Sequence, residues 1–155
     1  GAPVGRELEE TVAERSPETG SAAVAGKRDG SIMMVVATDA PLDARALERL
    51  AMRAMMGLAR TGAIAENGSG DYVIAFSTNA AVRHQRASDR PVRTSTLLGS
   101  AMNPLFAATV DATEEAVYNA LFKATTVESV RGKLAAIPVE TVVPILDKYN
   151  ARRRD

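Results

Sequence analysis

The chain has no cysteine, a single histidine and few aromatic residues, and each shortage closes off some chemistry. Without cysteine there is no disulfide, no thiolate nucleophile and no cysteine-bound metal. His84 cannot build a zinc site alone, and a Ser-His-Asp triad would have to rest wholly on it. No metal or cofactor is therefore expected. Aromatics make up 4% of the chain against an apolar share of 46%, so core volume must come from Ala, Val, Leu, Ile and Met, which suits tight helix–sheet layers. An excess of one charge is lacking too. Nineteen basic residues balance nineteen acidic ones, so the electrostatic footprint of a nucleic-acid binder is missing. No apolar run approaches the ~20 residues of a membrane-spanning helix, nor is a signal-peptide pattern visible. The cytoplasm is the expected location, with neither membrane nor nucleic acid as partner.

At 155 residues the chain fits one domain or a substantial piece of a larger one. Residues 1–15 read as a tail, a short Pro/Gly segment and then a charged stretch. Residues 16–30 are rich in Gly, Ser, Pro and charge and read as a linker. Ser31–Thr38 is an apolar run too short for a typical helix, which predicts a strand buried on both faces. From Asp43 to Arg60, Ala46, Leu47, Leu50, Ala51, Ala54, Met55 and Leu58 recur at helical spacing, with Gly62 as the stop. Asp71–Ser77 predicts a second buried strand. Residues 79–95, which hold His84 and the basic stretch Arg83–Arg93, read as an exposed loop, and residues 96–101 are ambiguous. Helical material should run from Asn103 to about Thr125, with an apolar stripe of Ala116, Val117, Ala120, Leu121 and Ala124. Within it, Asp111 and Glu114 resemble a capping box. A last helix is expected over 139–149, with Pro144 kinking it or marking its start. Met33, Met34, Met52, Met55 and Met56 read as core filling, and Arg152-Arg153-Arg154 as a frayed tail. This order implies a sheet covered by helices. Two strands make an incomplete sheet, so a partner segment should supply the rest.

Two short segments carry candidate chemistry. In Asp29-Gly30-Ser31-Ile32 a hydroxyl follows a glycine at the mouth of the first strand. A glycine carbonyl offers an adjacent hydroxyl little steric hindrance. Cleavage there would leave Ser31 as a new amino terminus, and a hydroxyl paired with its own α-amine is an alternative to serine plus histidine. The unperturbed amine, with a pKa near ~7.7–8.0, is partly neutral at physiological pH and can accept the proton. Asn67-Gly68-Ser69-Gly70-Asp71 introduces the second strand in the same way. Its glycines could expose amide N–H groups toward an oxyanion. Ser69 and Asp71, two residues apart in an extended segment, point to one side. Taken singly, each segment also reads as an ordinary turn leading into a strand.

Taken together, three segments resemble one family. Residues 29–42, from Asp29-Gly30-Ser31-Ile32 to Ala40-Pro41-Leu42, are similar to the processing site and first strand of the self-cleaving L-aminopeptidase/D-amino-acid esterase-amidase (DmpA-like) family, which includes the β-aminopeptidases. Arg60-Thr61-Gly62 followed by residues 67–78, Asn67-Gly68-Ser69-Gly70-Asp71 through Thr78, resembles its second signature. Asn103-Pro104-Leu105-Phe106 with Thr113-Glu114-Glu115-Ala116 resembles a third. The similarity spans nearly the whole chain.

The resemblance implies an α/β fold, a layered α-β-β-α sandwich of the N-terminal-nucleophile type, completed by an upstream segment outside this chain. Residues 1–30 would be the end of the upstream (α) part with the processing linker, and 31–155 the nucleophile-bearing (β) part. It implies cleavage between Gly30 and Ser31, with Ser31 as nucleophile and Ser69 and Asp71 as the residues that position and tune it. Asp71 stands where some relatives carry glutamate. Gly68, Gly70 and Asn67 are candidate oxyanion or substrate contacts. The charged Lys27-Arg28-Asp29 approach departs from the expected pattern. The function so implied is an aminopeptidase or amidase acting on short peptides, amides or esters, D- and β-amino acids among the candidates. The upstream part of the same precursor is its partner, in a homo-oligomer of processed units. Two alternatives stand beside it. One is a related self-processing polyamide-oligomer hydrolase or ornithine-type acyltransferase, for which threonine would be the favoured nucleophile. The other is a catalytically silent oligomeric or ligand-binding homologue.

Overall fold

The computed structural model describes residues 2–15, 30–83, 96–130 and 132–152. His84, the linker residues 16–29 with Lys27-Arg28-Asp29, and Arg153-Arg154 lie outside them. The chain divides into two units, Asp29–Ala120 and Gly1–Arg28 with Leu121–Asp155.

The first unit is built on two parallel strands. Strand β1 (Met33–Thr38) pairs with β2 (Tyr72–Ser77), in register from Met33 opposite Tyr72 to Thr38 opposite Ser77. A parallel pair needs a long crossover, and helix α2 (Ala44–Arg60) supplies it. Asp43 caps α2 by accepting the Ala46 N–H at 2.8 Å. Gly62, at φ 97°, takes the chain out of the helix in the left-handed conformation that glycine tolerates. A 3₁₀ turn, Gly99–Met102, resolves the ambiguous stretch and leads into α3 (Asn103–Phe122).

The spacing expected for α2 is what buries Ala46, Leu50, Ala54 and Leu58. Leu42, Ala46, Leu50 and Met102 form one cluster, with Val36 and Phe106 against it. Met34, Ala54 and Leu58 form a second, against Ile32, Val73 and Val117. Helices α2 and α3 cross closely at Gly57, where a Cβ would stand 2.5 Å from the Val110 carbonyl oxygen. Thr109 and Thr113 are buried there, and their hydroxyls donate to the carbonyls of Leu105 and Thr109 at 2.8 Å. Beside Gly57, Arg60 donates to Asp111 at 2.7 Å and to Glu114 at 3.4 Å.

Several expectations need correction. The strands are not buried on both faces: Met34 is 8% exposed, whereas Met33 is 64% and Val35 65% exposed, and Tyr72, Ile74 and Phe76 face outward likewise. The helices pack on the face that carries Met34 and Val73, and the opposite apolar face is left open. For the same reason Met33 is not core, and Met52 and Met56 lie on the outer side of α2; Met34, Met55 and Met102 do the filling. Asp111 and Glu114 are no capping box. They sit inside α3, which starts eight residues earlier at Asn103, and serve Arg60 instead. The buried side of α3 is Thr109, Val110 and Thr113 with Val117 beside them. Ala116 and Ala120 instead line a groove of about 610 Å³ between α3 and β1, and Ala124 lies past the helix end.

The second unit holds α1 (Val4–Arg15), a hairpin of β3 (Val127–Ser129) with β4 (Gly132–Leu134), and α4 (Val139–Lys148). The stretch expected as a tail is therefore helical. Its charge masks a sparse apolar set, and α1 gains its footing by contact with α4, whose Val142 and Ile145 are buried. Pro144 lies inside α4 and does not mark its start. Arg152 is held by Asp147 at 3.3 Å, so at this position the end is not frayed. Among the described residues no helix is long and apolar enough to cross a membrane.

Candidate active site

The site forms where β1 and β2 begin, because in-register parallel pairing brings the segments preceding them side by side. The ladder extends past the strands: the Tyr72 N–H donates to the Ile32 carbonyl at 3.0 Å. That bond fixes Gly30-Ser31 against Ser69-Gly70-Asp71. Ahead of this segment the Ser69 N–H donates to the Glu66 carbonyl at 2.8 Å, closing a turn with Asn67 and Gly68 exposed at its tip. The Asn-Gly pair thus acts as a turn former and delivers Ser69 to the sheet.

Three hydrogen bonds tie the two segments together, and a fourth, between Ser69 and Asp71, lies within the second. The Gly70 N–H donates to Ser31 Oγ at 3.0 Å. Ser69 Oγ lies 2.6 Å from the Gly30 carbonyl oxygen and 2.8 Å from Asp71 Oδ1. A hydroxyl has one proton, so Ser69 donates to one of these acceptors at a time. Asp71 Oδ1 also accepts the Ile32 N–H at 3.1 Å. One carboxylate oxygen therefore meets both the backbone just after Ser31 and the hydroxyl that touches the carbonyl just before it.

Ser31, Ser69, Gly70 and Asp71 are brought together as a group, and Gly30 with them, while Asn67 and Gly68 stand one turn away. In this continuous chain the Ser31 nitrogen is a peptide nitrogen. Ser31 is exposed and continues the outward set Met33 and Val35. Tyr72 is a neighbour that motif reading passed over. A Cβ on Gly70 would lie 3.5 Å from the Tyr72 ring and 3.4 Å from Ser31 Oγ. Its signal was positional: it is two residues beyond Gly70, on the same side of the strand. Among the described residues no group of three or more His, Asp or Glu could hold a metal. What the arrangement offers is hydroxyl, amide and carboxylate chemistry.

Comparison with known proteins gives this geometry a context. The profile of peptidase family S58 matches residues 1–135. A β-peptidyl aminopeptidase (BapA) from Sphingosinicella microcystinivorans is 39% identical over 155 aligned residues, which cover 96% of this chain and 39% of that protein. The chain thus spans well under half the length of this curated relative. A protein of known crystal structure from Pyrococcus horikoshii superposes with a TM-score of 0.71 at 41% identity, over 84% of this chain and 36% of its own. The L-aminopeptidase/D-Ala-esterase/amidase of Ochrobactrum anthropi, described as a prototype for the serine aminopeptidases and a variant of the Ntn-hydrolase fold, does so with a TM-score of 0.67 at 35% identity, over 76% and 33%. The mixed α/β fold seen here is that of these N-terminal-nucleophile hydrolases, in part.

Proposed function

The chain belongs to peptidase family S58, and from that membership we propose that it is the nucleophile-bearing part of a self-processing serine aminopeptidase. The observation that carries the reading is Ser69 Oγ at 2.6 Å from the Gly30 carbonyl oxygen, with Ser31 Oγ held by the Gly70 N–H next to it. Nucleophile and scissile carbonyl are thereby gripped by two consecutive residues. In self-cleavage, Ser31 Oγ loses its proton and attacks the Gly30 carbonyl carbon, while the Ser69 hydroxyl polarises the carbonyl oxygen. The C–N bond breaks, the nitrogen takes up a proton and becomes a free amine, and the acyl group rests on Ser31 as an ester. Water then releases the Gly30 carboxylate and regenerates the hydroxyl.

In turnover, the same hydroxyl attacks the carbonyl of a short peptide, amide or ester. The liberated Ser31 amine takes the proton and returns it to the leaving group. Ser69 and Asp71 orient that amine, and the backbone N–H of Gly70 opposes the developing negative charge. Substrates with D- or β-amino acids are the class to test first, given what the relatives are called.

The upstream part of the same precursor is the proposed partner. The open apolar face of β1 and β2, and the groove beside β1, are surfaces that such a segment would cover. A homo-oligomer of processed units in the cytoplasm completes the proposal; native mass spectrometry and cell fractionation test those two parts. For the activity itself, the full precursor and its Ser31→Ala variant are compared by intact mass and by turnover of an aminoacyl p-nitroanilide. Wild type should yield a fragment beginning at Ser31 and turn over the substrate, and the variant should do neither. An active or self-cleaving Ser31→Ala protein ends the reading.

A further inference from the structure

Cleavage between Gly30 and Ser31 would place α1 and α4 in different products, although the two helices touch. Their contact carries a cluster that the chemistry above does not use. Lys148 Nζ donates to both oxygens of Glu7 at 2.8 Å, and the Tyr149 hydroxyl donates to the same carboxylate. The Lys148 ammonium also stands 5.4 Å from the centre of the Tyr149 ring. The side chain of Glu7 is 19% exposed, against 61% for Lys148, so the carboxylate is the shielded member. Lys148 and Tyr149 close the C-terminal end of α4, where the helix dipole favours a cation.

We propose that Glu7, gripped by Lys148 and Tyr149, is the latch that keeps α1 of the N-terminal product seated on α4 of the C-terminal product after cleavage. The inference rests on the self-processing reading above. A single exposed ion pair would hold little, because solvent screens it and ordering two side chains costs entropy. Here three charge-assisted donations converge on one carboxylate, and ordering that one side chain serves them all. Hydrogen bonding from Lys148, and then from Tyr149, holds the Glu7 carboxyl below its usual range, as expected for a carboxylate bound in its charged form. The latch matters most once the chain is cut. While residues 16–30 still tether α1 to the rest of the chain, any separation from α4 is countered by a high effective concentration, and cleavage removes that help.

The test uses the full precursor after self-processing, with intact mass recorded first. Hydrogen exchange at the amides of residues 4–15 is then followed in wild type, Glu7→Gln, Lys148→Met and the exchanged pair Glu7→Lys with Lys148→Glu. In cleaved protein each single variant should exchange about fivefold faster over α1, and the exchanged pair should recover most of the protection. In a Ser31→Ala background, which stays joined, the same changes should have a smaller effect. Wild-type protection in cleaved Glu7→Gln overturns the latch alone, as does an equal effect in cut and uncut protein. A wild-type precursor that never cleaves overturns the processing reading, and the latch with it.

Discussion

At the scale of single residues, two glycines that look alike in the sequence have different reasons to be there. Gly70 is not in a left-handed conformation, and a Cβ on it would meet Ser31 Oγ and the Tyr72 ring at ordinary contact distances of 3.4 and 3.5 Å. What the site takes from Gly70 is its N–H, which any residue but proline supplies. Gly70→Ala should therefore fold normally and cleave itself within about tenfold of the wild-type rate, a loss of roughly 1.4 kcal/mol or less in the barrier. A time course of processing followed by intact mass checks this. Complete blockage would mean that the space, rather than the amide, is what matters. The carboxylate of Asp71 is economical in the same sense. One oxygen anchors the backbone at Ile32 and receives the Ser69 hydroxyl, so the shorter side chain reaches both from its place just ahead of β2.

At the scale of elements, the crossing of α2 and α3 depends on the absence of a side chain. At Gly57 a Cβ would lie 2.5 Å from the Val110 carbonyl oxygen and 2.7 Å from Thr113 Cβ, and backbone cannot swing aside as a side-chain tip can. Gly57→Ala should cost about 1–3 kcal/mol in urea unfolding, since the helices must part to admit one methyl. An unchanged midpoint would contradict the close crossing. This crossing lies beside the clusters that seat β1 on α2, so the strain should reach the strand that Ser31 leads into. Arg60, held by Asp111 and then Glu114, is raised above its usual range and stays charged throughout. Its role is to tie the end of α2 to α3, which is what the sequence had offered as a capping pair.

At the scale of the whole molecule, the pH range over which the two ends hold together follows from the Glu7 cluster. The carboxyl lies below its ordinary 4.5, chiefly through Lys148 and next through Tyr149, with burial pulling the other way; the charge of Glu10 acts on Lys148 and Tyr149, raising both. A depressed carboxyl stabilises above its unfolded value, and that contribution is lost as pH falls through the folded one. Lys148 and Tyr149 are both raised above their ordinary 10.5 and 10.0, first of all by Glu7, so their share is present below those values and lost as pH rises through the raised ones. Protection of α1, corrected for intrinsic exchange, should be flat through neutral pH and fall at both extremes. A fall centred near neutrality would point to some other group.

The sequence by itself determined the strand–helix–strand unit and the two polar motifs at its mouth. The apolar spacing of Ala46, Leu50, Ala54 and Leu58 needs no partner to be read, and Gly30-Ser31 and Ser69-Gly70-Asp71 are contiguous motifs. Only the tertiary structure decided what faces what. Whether Met33 and Val35 are core depends on which face of the sheet the helices cover, and a continuous apolar run conceals the alternation. Helix α1 and the β3–β4 hairpin escaped notice because their residues are charged or exposed, and α1 gains its footing from α4, more than a hundred residues away. The meeting of Gly30-Ser31 with Ser69-Gly70 belongs to both levels. Each motif is local, but the 3.0 and 2.6 Å contacts exist because parallel pairing sets Met33 opposite Tyr72.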